Sequence, residues 1–574
     1  MSAMNTIKNI QSLLIATLAV VLIAGCAGQS RSDSTAERSS FIVQGADLAS
    51  VKALVTMEGG EITHELGVIR AVAAELTSGQ IAALRSHDDI RRVYENGAVE
   101  TAGKSGKKGS RNTGYGAPTD VNTDYPSLVN ADDLHTMGIT GDGIGIAVLD
   151  TGLWGHNAIR YDISGDTRLP VVYNAIKGYT EEGLDDSDPA GHGTHIASIA
   201  VSSAITPEGK FNGIAPDARL ISVHAFDENG NGTYADVIRA IDWVVSKKSR
   251  YNIRVLNLSF SAEPRSHYWD DPINQAVMVA WQNEIFVVAA AGNRGPDPMT
   301  IGVPGNVPYI MTVGAMTDNY TPADGSDDVL ASFSSAGPTV EGFVKPEVVA
   351  PGGHMLGLMD SRSNLATEYP EFYFDEQYFE MSGTSQATAV VSGIAALALQ
   401  AEPWRSVDEL KCKIMSAAKP AVNPDGSLAY SVFQQGAGLV DAVAAVNNQT
   451  VDCANRGLHI DDDIDGYQHF GGRANQDADG NYYLMGLDGY LWTDGYLWTD
   501  GYLWTDGSLW TDGYLWTDAY LWTDGVGTEG YRWTDGYLWT DGYLWTDGYL
   551  WTDGYLWTDS LTEMASMSSW VDPE

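Results

Sequence analysis

Short apolar runs separated by helical patterns dominate the middle of the chain. Residues 144–149, 220–223, 255–258 and 285–290 are largely apolar, and segments with helical periodicity, such as 234–245, lie between them. Apolar strands that alternate with helices are typical of a parallel sheet with helices on both faces. We therefore expect an α/β domain over residues 123–447.

A smaller pattern precedes this domain. Residues 41–43, 68–72 and 90–94 are strand-like, while residues 48–55 and 78–84 have helical periodicity. These segments predict a small α+β unit over residues 41–102. Residues 103–122 are rich in Gly, Lys and Ser, and we expect them to form a flexible linker that proteases can cut.

The N-terminus has the pattern of an export signal. Lys8 is followed by an apolar run over residues 12–24 and then by Gly25 and Cys26. The quartet Ile-Ala-Gly-Cys resembles the bacterial lipoprotein signal, which implies a signal peptide over residues 1–25 and a lipid on Cys26. Residues 26–40 would then tether the protein to a membrane of the bacterial cell envelope. An ordinary secretory signal is the alternative interpretation.

Composition narrows the possible functions. The 574 residues include 33 Lys and Arg against 75 Asp and Glu, a formal net charge of −42. Such a charge repels phosphate backbones, which argues against nucleic acid as a partner. Hydrophobic residues make up 44% of the chain, which is typical of globular proteins. The chain has three cysteines, of which Cys412 and Cys453 form either a disulfide or two buried thiols.

Two acidic segments and a repeat follow the α/β domain. Residues 448–483 are predicted to be an acidic linker in which oxygen-bearing side chains alternate, as they do at the start of a calcium loop. Calcium binding and a solvated linker are the two interpretations of these residues. The candidate ligands are Asp461, Asp463 and Asp465 in the first segment, and Asn475, Asp477 and Asp479 in the second.

Residues 484–559 form a repeat region, in which the hexapeptide Gly-Tyr-Leu-Trp-Thr-Asp recurs almost unbroken from Gly489 to Asp559, and residues 560–574 form a C-terminal tail. An even period keeps Tyr and Trp on one face of a strand. A β-rich solenoid therefore separates the side chains better than a series of hairpins does, and an aggregation-prone array is a third possibility. The exposed aromatic side chains suit a glycan or peptide ligand, and a stabilising stalk is the alternative.

Three motifs carry candidate chemistry. Asp150 ends the apolar run Ile-Ala-Val-Leu-Asp-Thr-Gly, His192 lies in Gly-His-Gly-Thr-His, and Ser385 lies in Ser-Gly-Thr-Ser-Gln-Ala. A serine hydroxyl becomes a nucleophile when a base takes its proton and an acid holds that base. Two other classes fit parts of the pattern. Asp-Thr-Gly occurs in aspartic proteases, which need a second such carboxylate, and His192 with His195 is a weak zinc pattern.

Together these motifs resemble those of the subtilases, the subtilisin-like serine proteases, over about residues 123–446. The Asp, His, Ser order is that of subtilisin. The resemblance implies that Ser385 is the nucleophile, that His192 is the base and that Asp150 orients His192. It implies that Asn293, in Ala-Ala-Ala-Gly-Asn, donates to the oxyanion. It also places substrate binding at Ser259, Phe260, Ser261, Ala290 and Gly292.

The same resemblance makes residues 41–102 an inhibitory propeptide, which is cut in the linker at 103–122. An unrelated small domain is the alternative for these residues. Catalysis of this kind uses no cofactor, so the expected partners are protein or peptide substrates and the propeptide itself. We therefore expect an exported serine endopeptidase that is made as a self-inhibited proenzyme. The competing hypothesis is a non-catalytic envelope binding protein that uses the aromatic repeat.

Overall fold

The chain divides into two compact units. The computed structural model describes residues 38–101, 123–168, 171–181, 187–322, 325–375, 377–424, 426–477 and 480–485. The smaller unit contains the described residues up to Thr63 together with Val72–Glu95. The larger unit contains His64–Ala71 and the described residues from Asn96 onward.

The first sheet of the chain has strands β1 (Ser39–Gly45), β2 (Glu61–Leu66), β3 (Ala71–Leu76) and β4 (Ile90–Glu95), and helices α1 (Leu48–Met57) and α2 (Ser78–Leu84) accompany it. Its residues belong to the smaller unit, except for the second half of β2 and the first residue of β3. The strand order is β2-β3-β1-β4. Val43, Val51 and Val72 are buried together in its core, so the apolar face of α1 packs on the sheet. The sequence did not predict β2, whose side chains alternate between exposed and partly buried positions, and it predicted a strand where a 3-10 turn, Gly67–Ile69, precedes β3.

A large sheet forms the centre of the larger unit. Its strands are β6 (Gly145–Asp150), β7 (Val171–Asn174), β8 (Tyr179–Glu181), β9 (Arg219–His224), β11 (Ile253–Leu258), β13 (Phe286–Ala290), β14 (Met311–Thr317), β15 (Val329–Leu330) and β16 (Val348–Pro351). The order is β15-β14-β13-β11-β6-β9-β7-β8, with β16 also paired to β14. The β7–β8 and β14–β15 pairs are antiparallel, and the pairs β6–β9, β6–β11, β11–β13 and β13–β14 are parallel. A mostly parallel sheet is the architecture that the sequence predicts.

The long helices lie in two packed pairs. Helices α6 (His192–Val201) and α10 (Thr384–Ala401) pack against each other, and α7 (Tyr234–Tyr251) packs against α8 (Pro272–Gln282). Residues Thr384 to Leu399 of α10 are all buried, as expected for a helix that crosses a sheet inside a large domain. The shorter helices are α3 (Tyr125–Leu128), α4 (Ala131–Thr136), α5 (Asn157–Arg160), α9 (Asn364–Glu368), α11 (Val407–Ala417), α12 (Val432–Gln435), α13 (Ala442–Asn447) and α14 (Ile460–Asp465).

Three small sheets complete the larger unit. The first joins β5 (Ala98–Thr101) to β10 (Asn231–Thr233) and β12 (Phe260–Ser261). The second contains β17 (Met355–Leu358), β18 (Tyr373–Phe374) and β19 (Tyr378–Met381), and the third pairs β20 (Ala474–Gln476) with β21 (Tyr482–Leu484).

The described residues after 447 are packed against the α/β domain, which differs from the predicted linker. A disulfide joins Cys412 of α11 to Cys453. The Asn455 side chain donates to the Tyr309 carbonyl at 3.0 Å and accepts from Lys411 at 3.1 Å. Ala474 and Leu484 are buried in one cluster with residues of the α/β domain. The sequence prediction was wrong here because acidic composition was taken as a sign of solvation, whereas apolar and disulfide contacts decide the packing.

The first predicted calcium segment is a helix whose carboxylates have separate partners. Asp463 is buried, and it accepts hydrogen bonds from the Tyr268 hydroxyl at 2.5 Å and the Tyr309 hydroxyl at 3.1 Å. Asp461 accepts from Gln282, and Asp465 lies near Arg70. The prediction that Asp461, Asp463 and Asp465 wrap one cation is therefore wrong, since the helix turns them toward different neighbours.

In the second segment, Asn475 lies in β20 and Asp477 accepts from the Asn481 backbone N–H at 2.8 Å. Asp479 lies outside the described residues. Among the described residues, no group of three or more His, Cys, Asp or Glu side chains could hold a metal ion. Calcium at the second segment stays a prediction.

Several other predictions concern residues that the structure does not describe. They are the signal peptide at 1–25, the lipidated Cys26, the linker at 103–122, the repeat from residue 486 to 559 and the tail at 560–574. Over the described ranges, no helix is both long enough and apolar enough to cross a membrane.

Candidate active site

The three predicted catalytic residues stand at the ends of regular elements. Asp150 is the last residue of β6, His192 is the first residue of α6, and Ser385 is the second residue of α10. Gly191 precedes His192 with φ of +98°, a conformation that other residues rarely adopt. That turn lets the chain enter α6 immediately before the histidine. A hydrogen bond between Gln386 and His195 shows that the first turns of α10 and α6 lie near each other.

Asp150 and His192 form a buried pair. The Nδ1 atom of His192 lies 2.7 Å from Oδ1 of Asp150, and each side chain is 2% exposed. The Thr151 backbone N–H also donates to Asp150 Oδ1, at 2.8 Å. Burial alone lowers the pKa of His192, but the charge and hydrogen bond of Asp150, with the charge of Asp188, raise that pKa above its ordinary value.

The other ring nitrogen of His192 faces away from the acid. Within the described residues, His192 Nε2 has no hydrogen-bond partner. Because Nδ1 carries the proton that is shared with Asp150, Nε2 holds the lone pair that accepts a further proton. The tautomer that this hydrogen bond selects is the one that a general base requires.

Backbone and side-chain contacts hold Ser385 at the start of α10. Its hydroxyl donates to the Ser259 carbonyl at 3.1 Å, and the Ser259 hydroxyl donates to the Ser385 carbonyl at 3.0 Å. The next residue, Gln386, donates from Nε2 to Nδ1 of His195 at 3.4 Å. These bonds join the start of α10 to the residue before β12 on one side and to the first turn of α6 on the other.

Asn293 lies beside Thr384, the residue that precedes Ser385, and its amide orientation is defined. Its Oδ1 atom accepts from the Thr384 backbone N–H at 2.9 Å and from the Thr384 hydroxyl at 3.0 Å. Two donors at Oδ1 assign that atom as oxygen, so Nδ2 is the donor end of the amide. Thr384 directly precedes Ser385, and this contact therefore places an N–H donor next to the serine that would carry a tetrahedral oxyanion.

Comparison with known proteins identifies the family. A model described as "Subtilase family" matches residues 141–438, more than half of the chain. This chain belongs to the subtilase family. It is 34% identical over 387 residues to serine protease AprX of Bacillus subtilis (strain 168), a match that covers 66% of this chain and 80% of that protein.

A second relative of this subtilase is the thermostable alkaline protease of Halalkalibacterium halodurans, which is 25% identical over 411 residues, 72% of this chain and 94% of that protein. The fold resembles the crystal structure of fervidolysin from Fervidobacterium pennivorans, with a TM-score of 0.54 and 22% identity over 72% of this chain and 62% of that chain. The chain is a subtilisin-like serine endopeptidase with a subtilisin-like α/β fold.

Sequence reasoning missed a further acid in this subtilase, Asp188. Its Oδ1 accepts from the Thr151 hydroxyl at 2.7 Å and from the Gly191 N–H at 2.8 Å. Its Oδ2 accepts from the Thr194 N–H at 2.7 Å and from the Thr194 hydroxyl at 2.6 Å. Burial raises the pKa of Asp188, and these hydrogen bonds oppose the shift. The carboxylate thus joins the residue after Asp150 to the first turn of the helix that His192 begins.

The available signal for Asp188 was its position four residues before His192, just ahead of a helix N-terminus where a carboxylate is stabilising. That position alone does not separate a capping residue from one that holds two parts of a site together. The distinguishing contact is the one with Thr151, which is distant in sequence.

The segment predicted to bind substrate, residues 259–261, already pairs with another strand of the same chain, β5. β5 lies between β10 and β12, with Glu100 opposite Ser261 and Thr101 opposite Phe260. The Thr101 N–H donates to the Gly230 carbonyl at 3.0 Å, and the Val99 side chain is 1% exposed. Because β5 is antiparallel to β12, its carboxyl end lies toward Ser259, whose carbonyl accepts from the Ser385 hydroxyl.

Of the remaining predicted substrate residues, Ala290 is the last residue of β13, and Gly292 lies between that strand and Asn293. Gly292 donates its N–H to the Thr384 hydroxyl at 3.2 Å. The structure therefore brings both of the predicted substrate-binding segments to the residues that flank Ser385.

The side-chain contacts fit neither a zinc site nor an aspartic protease, the two alternative interpretations of these motifs. His195 shares its Nε2 proton with the Phe379 carbonyl at 3.0 Å and the Met355 carbonyl at 3.2 Å, and burial lowers its pKa to about 3. His192 pairs with Asp150 through Nδ1, so the two imidazoles point to different partners instead of converging as zinc ligands do. Asp150 pairs with an imidazole, whereas an aspartic protease pairs two carboxylates.

Proposed function

We propose that this subtilase is an exported peptidase that cleaves protein substrates through Ser385, His192, Asp150 and Asn293 and is made as a self-inhibited proenzyme. The 2.7 Å contact between His192 Nδ1 and Asp150 Oδ1 is the observation that carries the proposal. It supports the catalytic assignment because a buried acid on Nδ1 leaves Nε2 as the proton acceptor, and because the first turn of the same helix contacts Gln386, the residue after Ser385.

Each of these residues has a separate role in the reaction. The Ser385 hydroxyl loses its proton to His192 Nε2 while its oxygen attacks the carbonyl carbon of the substrate. The oxyanion that forms is stabilised by Asn293 Nδ2 and by the Ser385 backbone N–H. His192 then gives the proton to the departing amine, and a water molecule activated by the same imidazole releases the acyl group. Asp150 keeps its hydrogen bond with Nδ1 and so stabilises the imidazolium.

Self-inhibition rests on the position of β5. A peptide substrate that binds by strand addition pairs with exposed strand edges, and β5 already pairs with both β10 and β12. Its chain direction brings its carboxyl end to the nucleophile, as a bound substrate would. Residues 41–102 therefore act as an inhibitor until the chain is cut within the linker and β5 is released.

Export and anchoring follow from the N-terminal sequence and from the disulfide. The pattern before Cys26 supports cleavage of a signal and attachment of lipid. The Cys412–Cys453 disulfide supports folding in an oxidising compartment, because such bonds are rare in the cytosol. The mature protein would then act at the bacterial cell envelope.

A cleavage assay tests the catalytic proposal. Purified full-length protein is incubated with casein, beside Ser385→Ala and the matched control Ser164→Ala, an exposed turn residue. We expect the wild type and the control to cleave casein and the Ser385 variant to lose at least about a thousandfold in rate. Equal cleavage by the Ser385 variant would refute the assignment.

A further inference from the structure

The register of β5 on β12 defines where a bound peptide meets the nucleophile. Glu100 lies opposite Ser261 and Thr101 opposite Phe260, so a peptide in this register places its next residue opposite Ser259. The Ser259 carbonyl accepts from the Ser385 hydroxyl at 3.1 Å. The residue opposite Ser259 is therefore P1, the residue whose carbonyl Ser385 attacks.

Strand pleating directs the P1 side chain toward Ser261. Residues that lie opposite each other have side chains on the same face of a sheet, and residues two apart on one strand share a face. Ser259 and Ser261 are two residues apart, so the P1 side chain and the Ser261 side chain project from the same face. The size of the side chain at position 261 therefore affects the space that P1 can use.

Two glycines form the walls around the Ser261 hydroxyl. A Cβ atom added to Gly302 would lie 1.9 Å from Ser261 Oγ, and one added to Gly292 would lie 3.0 Å from it. The hydroxyl thus rests directly against the backbone of both glycines, which are buried. Gly302 also donates its N–H to the Ala291 carbonyl at 3.1 Å. Walls made of hydrogen-bonded backbone have no rotamers to change, so they do not make room for a larger side chain.

We propose that Ser261 determines specificity by limiting P1 to small side chains, namely glycine, alanine and serine. The proposal rests on the proposed function, since it describes the substrate of that same site. The hydroxyl fills the space between Gly292 and Gly302 that a phenylalanine or leucine side chain would need. The residue that follows Thr101 in the sequence is an alanine, which agrees with this limit.

Peptides that differ only at P1 test the proposal. The substrates have the sequence Val-Glu-Thr-X before the cleaved bond, with X as glycine, alanine or phenylalanine. Active enzyme obtained from the full-length chain is compared with Ser261→Gly, Ser261→Val and the control Ser164→Gly. Active sites are counted by titration with a serine-directed phosphonate, so that each kcat/KM refers to competent enzyme.

The wild type should prefer alanine over phenylalanine by at least about tenfold, and Ser261→Gly should move this ratio toward phenylalanine by about 10–100-fold. Ser261→Val should lower cleavage after alanine relative to glycine, and Ser164→Gly should match the wild type. Should a variant at position 261 not fold, the alanine-to-phenylalanine ratio of the wild type still decides the matter, because efficient cleavage after phenylalanine is incompatible with the space that Ser261 leaves.

Two results would overturn the proposal in distinguishable ways. Efficient cleavage after phenylalanine by the wild type, or one ratio shared by all variants, would refute the role of Ser261 and leave the peptidase assignment intact. An enzyme with no titratable site and no cleavage of any peptide would refute the proposed function, and the role of Ser261 with it.

Discussion

Replacement of Asp188 by asparagine tests whether this acid holds the catalytic pair in place. The carboxylate accepts four hydrogen bonds, two of them from the Gly191 and Thr194 backbone N–H groups, one at each oxygen. An asparagine keeps one acceptor oxygen and presents an NH₂ group at the other position. Whichever way the amide is turned, one buried backbone N–H then faces a donor and loses its partner.

The loss of that one hydrogen bond determines how much Asp188→Asn lowers the free energy of unfolding. A hydrogen bond to a charged group contributes about 1.5–3 kcal/mol, and an unsatisfied buried N–H costs about 1–3 kcal/mol. Removing a buried carboxylate also removes its desolvation cost, so we expect a net loss of about 2–4 kcal/mol in the free energy of unfolding. Asp162→Asn is the control, because Asp162 accepts from the Ser164 and Asp166 N–H groups through a single oxygen that asparagine retains.

Urea denaturation measures the change in the free energy of unfolding. The pH profile of kcat/KM shows in addition whether Asp188 acts on His192, an effect that a purely structural role would not produce. The charge of Asp188 helps to raise the pKa of His192. Its loss lowers that pKa, and the acid limb of the profile moves to lower pH. A variant with an unchanged denaturation midpoint and an unchanged acid limb would refute the role given to Asp188.

Three further predictions concern the same site. Asn293→Ala should lower kcat by about 10²–10³-fold with little change in KM, because one oxyanion donor is removed; steady-state kinetics beside Thr384→Ser check this, and an unchanged kcat would contradict it. In wild type, kcat/KM should fall as the pH drops through a midpoint above about 6.5, because protonated His192 accepts no proton and its pKa is raised; a lower midpoint would be inconsistent with the buried pair. Val99→Asp should speed labelling of the full-length chain by a serine-directed phosphonate, because a charge at this buried position weakens the pairing of β5; equal rates for this variant and for the exposed Glu100→Gln control would argue against self-inhibition by β5.

Local sequence patterns predicted the parts of the site that depend on neighbouring residues. Asp150 follows an apolar run that becomes a buried strand, and Ser385 opens a long apolar helix that is buried in the structure. Motif order then linked these residues to His192 and Asn293. Patterns of this kind lie within one element, so they are visible in the sequence before any folding is considered.

The parts that could not be predicted depend on contacts between distant residues. β5 is a short strand with a single fully buried side chain, Val99, and it is held by partners more than a hundred residues away. Asp463 sits in an acidic run that resembles a solvated or cation-binding segment, yet Tyr268 and Tyr309 bury it. Charge patterns show which groups need partners, but they do not show whether water, an ion or the protein supplies them.

Covalent labelling with a fluorophosphonate, followed by mass spectrometry of the digested protein, shows whether Ser385 is the nucleophile and His192 its base. We expect a single label, located on Ser385, whose rate of formation falls at least about a hundredfold in His192→Ala because the base is removed. A label on another residue, or labelling of Ser385 at the same rate without His192, would contradict this assignment.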